Sequence, residues 1–363
     1  MLPNWSAGAS SAGAGEPVVD TATRATFQRL ADAVFTDRTD ALVDHKQNRG
    51  RSPLTSRFSG DVELSSSLEN KEDSTLSSLR GRKSRLATLG ERYSKAETSV
   101  TLDRTRVRGG HATVQVTETT MLTYEKVRGD EPKTTGFQAH HKLTFTADRQ
   151  GDWQLTGVRN TDDGYLAVNQ PAKTSFTAAV AGDDMPAAAR SATSWPAPAK
   201  AKNFSASGYN YKAMAAYAEK YWDDYNPAYP SFDGGAGDCT NFVSQSLKAG
   251  GWKHVPGYVY DYTRWFGNAD IHSDSFVGVN EFSWFSLNSK RATSLANVYQ
   301  MDVGDVLQMD FNKDGSKDHT MIVSYRSSRG VPYLTYHSAD TYRRSVASII
   351  ASNPNAAYYA YRT

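Results

Sequence analysis

The sequence contains a single cysteine, Cys239, and its position suggests nucleophilic chemistry. It lies in the segment GAGDCTNFVSQSLKAGG, where glycines precede it and a helix-like apolar pattern follows. Only the thiolate is a good nucleophile, and the free N–H groups and dipole at a helix N-terminus favour that anion. Asp238 is the expected N-cap, which puts Cys239 at the first helical position. There the thiolate can attack a carbonyl carbon, while the backbone N–H of Cys239 stabilises the oxyanion.

The alternative is that Cys239 fills a niche at the helix start as a small apolar side chain. A single cysteine excludes an internal disulfide and a four-thiolate zinc site. The thiol is therefore either a buried structural group or a reactive one, and the histidines bear on that choice.

Two of the eight histidines follow the cysteine in the order that a cysteine hydrolase requires. His319 opens the strand-like run DHTMIVS, and His337 lies on the next one, YLTYHSAD. In papain-type chemistry a helix-borne cysteine works with a histidine from a later strand, and a third polar residue fixes the ring tautomer. We predict His319 as the base and His337 as the orienting residue. Asp340 is the rival for that role, because a carboxylate stabilises an imidazolium better than a neutral ring does. A structural histidine is the alternative at both positions.

Oxygen-bearing side chains alternate just before His319, as they do in calcium-binding loops. The segment DFNKDGSKDH has Gly315 at the sixth loop position and candidate ligands at Asp310, Asn312, Asp314 and Asp318. The twelfth position is Met321 instead of a bidentate glutamate, which excludes a complete EF-hand. Two interpretations stay open: a structural calcium site, or a polar turn that uses Asp, Asn and Gly for their backbone conformations. The predicted chemistry itself requires no cofactor.

Aromatic residues crowd after residue 200, and those near the ends of the cysteine helix are candidate walls of a substrate groove. A glycine before the cysteine would also let a substrate approach the backbone closely. We predict substrate contacts at Gly237, Tyr229, Trp252 and Tyr258. Packing of these aromatic rings in the core is the alternative.

The elements that would position these residues lie in residues 208–363. A helical stripe in YNYKAMAAYAEKYWDDYN precedes the cysteine helix, and short β-rich runs follow it at 304–311, 319–326, 332–339 and 357–363. This order predicts a nucleophile helix packed on an antiparallel sheet.

Residues 21–167 predict a separate small α+β domain. Helical periodicity begins at Thr21 and returns over 76–93, with a polar insertion near 46–75 between the two segments. Alternating runs at 111–127 and 136–149 and a further strand at 152–160 predict an antiparallel meander, for which we expect a cystatin-like shape. Residues 168–207 have the Ala-, Pro- and Ser-rich composition of a linker, and residues 1–20 that of a flexible leader.

Length and charge narrow the classes of function. The chain of 363 residues is long enough for two domains. A formal net charge of +2 gives no electrostatic reason to expect nucleic acid or an anionic membrane as a partner. No apolar run is long enough for a transmembrane segment. The leader lacks the pattern of a signal peptide, which fits either a mature exported protein or a cytosolic tail.

The segment GDCTNFVSQSLKAGG, with YWDDYNPAYPSF before it, resembles the putative amidase domain family of Gram-positive bacteria. GDVLQMDFNKDGSKDHTMIVSY and YHSADTYRRS continue the resemblance, which covers about residues 208–363. That family is grouped with papain-like hydrolases, alongside CHAP and NlpC-type cell-wall enzymes. The resemblance implies a papain-like fold, with Cys239 as nucleophile and His319 as base. It also implies a peptide or peptidoglycan stem peptide as substrate, and a secreted or cell-wall-associated location.

These observations predict a cysteine-dependent amide hydrolase that forms a thioester acyl-enzyme. Two alternatives stay open: a catalytically silent module that binds cell wall or protein, and an acyl transferase that uses the same cysteine and histidine. The sequence predicts neither the oligomeric state nor the role of the N-terminal domain.

Overall fold

The computed structural model describes residues 19–44, 52–58, 62–162, 165–171, 185–197, 200–206, 208–232 and 237–363. Within these ranges, seven α-helices pack against one large mixed sheet. The predicted α+β class is therefore confirmed. None of the helices in these ranges combines the length and apolar character needed to cross a lipid bilayer.

Two helices form the first part of the chain. Helix α1 (Thr21–Asp40) starts at the N-cap Asp20 and buries the predicted apolar stripe, including Phe27, Leu30, Val34 and Phe35. Helix α2 (Ser66–Thr88) begins earlier than the apolar pattern indicated, within the predicted polar insertion. Ser65 caps its N-terminus, and Glu72 forms a buried ion pair of 2.6 Å with Arg38 of α1. Polar contacts of this kind leave no periodic pattern of apolar residues in the sequence. The apolar pattern therefore placed the start of α2 too late.

The predicted antiparallel meander is confirmed in strands β3 (His111–Tyr124), β4 (Thr134–Ala147) and β5 (Trp153–Asn160). A further strand, β2 (Tyr93–Arg108), pairs along β3, although the sequence pattern assigned Tyr93 to a helix. Most side chains of β2 are exposed, so its sequence lacks the alternation that marks a half-buried strand. A short strand, β1 (Val62–Leu64), pairs in parallel with β5.

The C-terminal part contains helices followed by an antiparallel sheet, as the sequence predicted. The sheet order is β6-β11-β7-β8-β9-β10. The helices are α3 (Tyr211–Lys220), α4 (Cys239–Ala249), α5 (Asp274–Val277), α6 (Val279–Asn288) and α7 (Val346–Ser352). The strands are β6 (Thr293–Leu295), β7 (Val306–Asp310), β8 (His319–Arg326), β9 (Pro332–Tyr336), β10 (Thr341–Ser345) and β11 (Ala357–Arg362).

The two faces of this sheet are covered by different elements. Ile322 and Val306 share a core with side chains of α3 and α4, and we call this side the α4 face. Met321, Val323 and Tyr336 share a core with α7 and Tyr165, and we call this side the α7 face. Because successive strand residues point to opposite sides, odd and even positions of β8 belong to different faces.

Strand β10 joins the C-terminal sheet to the N-terminal meander. Thr341 pairs with Phe137 of β4, and Gln138 N donates to the Asp340 carbonyl at 2.8 Å. Apolar residues of both parts form one buried cluster that contains Leu79, Tyr93, Leu122, Tyr124, Phe137, Tyr333, Ala347 and Ala351. The two parts of the chain therefore share a sheet and part of a core. Of the predicted linker, Trp195 packs on Tyr299 with ring centroids 4.7 Å apart.

Candidate functional site

Helix α4 begins at Cys239 with Asp238 at the N-cap position, as predicted. The Asp238 side chain does not cap the helix. Its carboxylate instead accepts hydrogen bonds from Asn241 Nδ2 at 2.8 Å and pairs with His337 Nδ1 at 2.6 Å. Gly237 precedes it with φ 82°, a left-handed conformation that a glycine adopts without strain. The glycine turn therefore presents the start of α4, while the aspartate is used to hold a histidine.

The Cys239 thiol is buried, with 4% of the residue exposed. Burial raises the pKa of Cys239, and Asp238 adds to that effect. The backbone of Thr320 and the hydroxyl of Thr240, whose Oγ1 lies 3.8 Å from Sγ, act in the opposite direction. Because burial has the largest effect on the pKa of Cys239, the thiol is protonated at neutral pH in this structure.

A chain of buried polar groups leads to the sulfur. Gln308 Nε2 donates to the Val279 carbonyl at 2.7 Å, and this contact fixes the orientation of the amide because a carbonyl can only accept. The same Nε2 lies 3.1 Å from Thr320 Oγ1, which lies 2.8 Å from Thr240 Oγ1. The hydroxyl hydrogens of Thr320 and Thr240 both have an acceptor if Thr320 donates to Thr240 and Thr240 donates to Sγ. This direction of donation stabilises a thiolate at Cys239.

His337 lies on the α4 face, with its ring stacked between Phe242 at 4.0 Å and Tyr225 at 4.1 Å. Its Nδ1 contacts the Asp238 carboxylate, and its Nε2 contacts the Tyr221 carbonyl at 2.6 Å. Both partners are acceptors, so both ring nitrogens must carry hydrogens and the ring is an imidazolium.

The environment of His337 agrees with that charge. Burial by itself would lower the pKa of His337, but the carboxylates of Asp340 and Asp238 and the Tyr221 carbonyl together raise it. Asp340 also accepts a hydrogen bond from Tyr225 Oη at 3.3 Å. His337 is therefore a fixed buried cation whose described contacts leave neither ring nitrogen free to take up a proton.

His319 lies on the α7 face of the sheet, opposite α4. Its ring packs against Tyr165 at 4.9 Å and Tyr336 at 5.1 Å between centroids. The residue is fully buried, and neither ring nitrogen has a hydrogen-bond partner in the described part of the chain. Burial, helped by the nearby Arg344 guanidinium, lowers the pKa of His319 to about 3. The ring is therefore a neutral base at physiological pH.

The structure thus does not bring the predicted histidines together. His337 does not orient His319, because its ring nitrogens contact Asp238 and Tyr221 on the α4 face. Asp340 likewise acts on His337 instead of His319. His319 makes no hydrogen bond to the Cys239 sulfur. The parity of β8 explains this, since Thr320, the next residue, is the one that faces α4.

The predicted substrate contacts have different surroundings. The predicted substrate contact at Trp252 needs correction. This residue is only 2% exposed and packs against Trp265 and Phe282 in the core, out of reach of a substrate. Tyr258 is 68% exposed and its ring contacts Tyr260. Tyr229 is half-buried with its ring stacked on Phe276, and Gly237 is buried beside Cys239. Tyr258 therefore has the most exposed ring of the three aromatic residues in the predicted set.

The predicted calcium ligands are engaged in closing their own loop. Asp310 accepts hydrogen bonds from Lys313 N and Gly315 N. Asn312 donates to Asp314 at 2.9 Å, Asp314 accepts from Ser316 N, and Asp318 accepts from Phe311 N at 2.7 Å. In the described ranges, no three His, Cys, Asp or Glu side chains are placed to hold a metal ion. These contacts are those expected of a polar turn, and the calcium site stays a prediction.

Sequence reasoning missed three residues of the site: Thr240, Thr320 and Gln308. Each of the three is a buried polar residue. The signal available was a polar residue interrupting a buried run, as in HTMIV and VLQMD, which requires an internal hydrogen-bond partner. It also missed the pairing of Asp238 with His337, because the N-cap explanation already accounted for the aspartate.

Comparison with known proteins finds a family model that matches the C-terminal part of the chain and two relatives. Residues 208–361 match the family model described as "Putative amidase domain". The chain is 32% identical over 139 residues to "Uncharacterized protein YhbB" and 32% identical over 146 residues to "Uncharacterized protein YjcM", both of Bacillus subtilis (strain 168). Each match covers 38% of this chain, and 43% and 32% of the relatives. The chain therefore spans less than half the length of these relatives.

Among solved structures, the chain is similar to the intermembrane space region of chloroplast protein ARC6. The match is 14% identical, covers 40% of this chain and 98% of that chain, and has a TM-score of 0.25. A score this low carries no argument about fold or function.

Proposed function

Because residues 208–361 match the model of the putative amidase domain family, we propose that this protein hydrolyses an amide bond with Cys239 as the nucleophile. The observation that carries the proposal is the position of Cys239 as the first residue of α4, at the end of the hydrogen-bonded chain Gln308–Thr320–Thr240. Helix N–H groups and hydroxyl donors both favour a thiolate at this place.

The proposed base is His319, whose ring is neutral and whose nitrogens are free of hydrogen bonds in the described chain. For the reaction, the start of β8 must rearrange so that this ring moves from Tyr165 and Tyr336 to the α4 face. His319 then takes the thiol proton, and Sγ forms a bond to the amide carbonyl carbon. The Cys239 N–H holds the oxyanion, and the imidazolium protonates the leaving amine.

Water completes the cycle in the proposed mechanism. His319, again neutral, takes a proton from a water molecule that attacks the thioester carbonyl carbon. The carbon–sulfur bond breaks, the carboxylic acid leaves, and the proton returns to the Cys239 sulfur. A papain-like fold for residues 208–363 is part of this proposal.

The proposed substrate is a peptide or a peptidoglycan stem peptide, in keeping with the resemblance to CHAP and NlpC-type enzymes. Tyr258, which is largely exposed, is the proposed aromatic contact for it. We also propose that the protein acts outside the cell or in the cell wall, where such a substrate occurs.

A second candidate is a catalytically silent binding module. The observation in its favour is the burial of the Cys239 thiol, which raises its pKa, while His319 faces the opposite side of the sheet. The rate of alkylation by iodoacetamide at pH 6 separates the two functions. An activated thiol reacts much faster than a model thiol, whereas an inert buried thiol reacts more slowly.

Substitution of the nucleophile tests the proposed reaction. Purified stem peptides are incubated with the wild-type protein, Cys239→Ala and Cys239→Ser, and newly released amino groups are measured. We expect release by the wild type and none by Cys239→Ala, with the far-ultraviolet circular dichroism spectrum unchanged. Undiminished release by Cys239→Ala would contradict the proposal. Addition of an amine acceptor identifies acyl transfer, because the acyl group then appears on the acceptor.

A further inference from the structure

A cleft lies at the junction of the two parts of the chain, away from the α4 face. It encloses about 50 Å³ between the end of α2, the turn from β3 to β4, and strand β9. We call it the junction cleft. The residues that line it and matter for its chemistry are Glu91, Tyr124, Arg128, Trp195, Tyr299 and Tyr333. Nothing in the proposed amidase mechanism uses this cleft.

The carboxyl group of Glu91 is the notable feature of the junction cleft. Its hydrogen-bond partner is the Ser345 hydroxyl, and no basic side chain in the described part of the chain forms an ion pair with it. Burial raises the pKa of Glu91 to about 7, while Ser345 and the more distant Arg128 lower it and Glu131 raises it. The residue is half-buried, so its carboxyl group can be reached from the opening of the cleft. A partly desolvated carboxyl group without an ion-pair partner is stabilised in its ionised form when a cation binds beside it.

Aromatic rings form the walls around this carboxyl group. Tyr124 and Tyr333 meet edge to face with centroids 6.2 Å apart, and Trp195 packs on Tyr299. Trp195 is 43% exposed, so its ring borders the opening. Aromatic faces attract cations through their quadrupole, and an ammonium group enclosed by rings and a carboxylate is a recurrent arrangement.

Basic residues lie at the opening, outside the aromatic walls. Lys126, Arg128 and Arg329 line the cleft and are exposed, and Arg329 lies 3.7 Å from Glu131 in a weak ion pair. These cations would repel a ligand that carries only a positive charge. They would attract a ligand whose far end is anionic. The enclosed volume, enough for roughly three or four water molecules, suits an ammonium group and the carbon atoms next to it.

We propose that the junction cleft binds the ammonium end of a small zwitterion of the amino-acid type, with Glu91 as its counter-ion. The carboxylate of the ligand faces the basic residues at the opening. Binding strengthens as the pH rises through about 7, because the Glu91 carboxylate must be ionised to pair with the ammonium group. The other titratable or charged groups that face Glu91 are Tyr93, Tyr124, Lys126, Arg128, Glu131, Tyr299, Arg329 and Tyr333.

Calorimetric titration at pH 8 with three related probes tests this assignment. L-alanine carries both charges, ethylamine carries only the ammonium group, and propionate carries only the carboxylate. We expect the full-length protein to bind alanine at millimolar concentrations, to bind ethylamine more weakly, and not to bind propionate. No saturable heat with alanine would overturn the proposal, and equal binding of ethylamine would overturn the zwitterionic ligand.

Variants locate the site. Glu91→Gln should weaken alanine binding about tenfold or more, because a charged hydrogen bond contributes on the order of 1.5–3 kcal/mol. Glu69→Gln, an exposed glutamate at the opposite end of α2, is the matched control and should bind as the wild type does. Trp195→Ala should also weaken binding by removing a wall. Unchanged affinity in both Glu91→Gln and Trp195→Ala would exclude the junction cleft as the site.

The Glu91→Gln variant is expected to fold. Burial raises the pKa of Glu91 from 4.5 to about 7, so its ionisation reduces the stability of the unliganded protein as the pH rises through that range. Removal of the charge should therefore raise the melting temperature of the free protein at pH 8. Since none of these measurements involves hydrolysis, failure of this proposal and failure of the proposed amidase activity are distinguishable.

Discussion

His337 and His319 lie at the same end of neighbouring strands, yet they differ in every property that matters for catalysis. His337 faces α4, has an acceptor at each ring nitrogen, and is charged. His319 faces α7, has no hydrogen-bond partner in the described chain, and is neutral. The difference arises from which face of the sheet each side chain occupies. A histidine near a cysteine helix can therefore be a structural cation, while the free base lies on the opposite face.

The largest expected effect comes from breaking the pair that fixes His337. Asp238→Asn removes the carboxylate that neutralises a buried imidazolium, and we expect a loss of about 3–5 kcal/mol in the free energy of unfolding. Urea denaturation at pH 6 measures it. Asp340→Asn, which acts on His337 without a hydrogen bond to it, is the control and should cost less. Equal stability of Asp238→Asn and the wild type would show that His337 is not held as a cation.

The next effect concerns His319 and has a defined pH range. Its pKa is about 3 in the folded protein and about 6.5 when unfolded, so the unfolded state takes up a proton first as the pH falls. The stability contributed by the neutral ring is therefore present above pH 6.5 and lost below it, by about 3 kcal/mol at pH 4.

His319→Phe isolates that contribution. A phenylalanine ring fits between Tyr165 and Tyr336 and cannot be protonated. We expect the stability of the variant relative to the wild type to increase steadily as the pH falls from 6.5 to 4. If the free energies of unfolding of the two proteins changed in parallel with pH, His319 would lie in a hydrated environment. The contrast between a neutral His319 and a charged His337 would then be wrong. His337→Phe should change the pH dependence in the opposite sense, because the pKa of His337 is raised and its contribution fades with increasing pH.

The smallest effect concerns the hydroxyl groups next to the sulfur. Thr240→Val removes the donor to Sγ, so the thiol pKa should rise and iodoacetamide alkylation at pH 7 should slow by about threefold to tenfold. Thr240→Ser keeps the hydroxyl and should react at the wild-type rate. Identical pH profiles for the valine and serine variants would show that the Thr240 hydroxyl does not stabilise the thiolate.

Local patterns predicted much of the fold and the start of helix α4. The apolar spacing of Phe27, Leu30 and Val34 identified α1, and alternation identified β3 and β4. The glycine turn and Asp238 located the first residue of α4. Each of these features depends on residues close together in the sequence. Strand β2 lacked such a pattern because few of its side chains are buried.

The face of the sheet on which His319 lies could not be predicted from such local patterns. Strand β8 is buried on both faces, so Met321, Ile322 and Val323 form a continuous apolar run without alternation. A run of this kind does not reveal whether the odd-numbered or the even-numbered residues of the strand face α4. A shift of one residue in the strand register would move every side chain to the opposite face of the sheet. The polar contact between Thr320 and Thr240, which fixes the register, joins residues far apart in the chain. The pairing of Asp238 with His337 is equally distant in sequence.

Detection of the acyl-enzyme tests the central claim, amide hydrolysis through Cys239, most directly. The wild-type protein is mixed with a stem-peptide amide, quenched with acid during turnover, digested with a protease and analysed by mass spectrometry. We expect the peptide that contains Cys239 to carry the mass of the acyl group, and hydroxylamine to remove it as it removes a thioester. Release of the amine at the same rate after Cys239 has been blocked by alkylation would contradict the account.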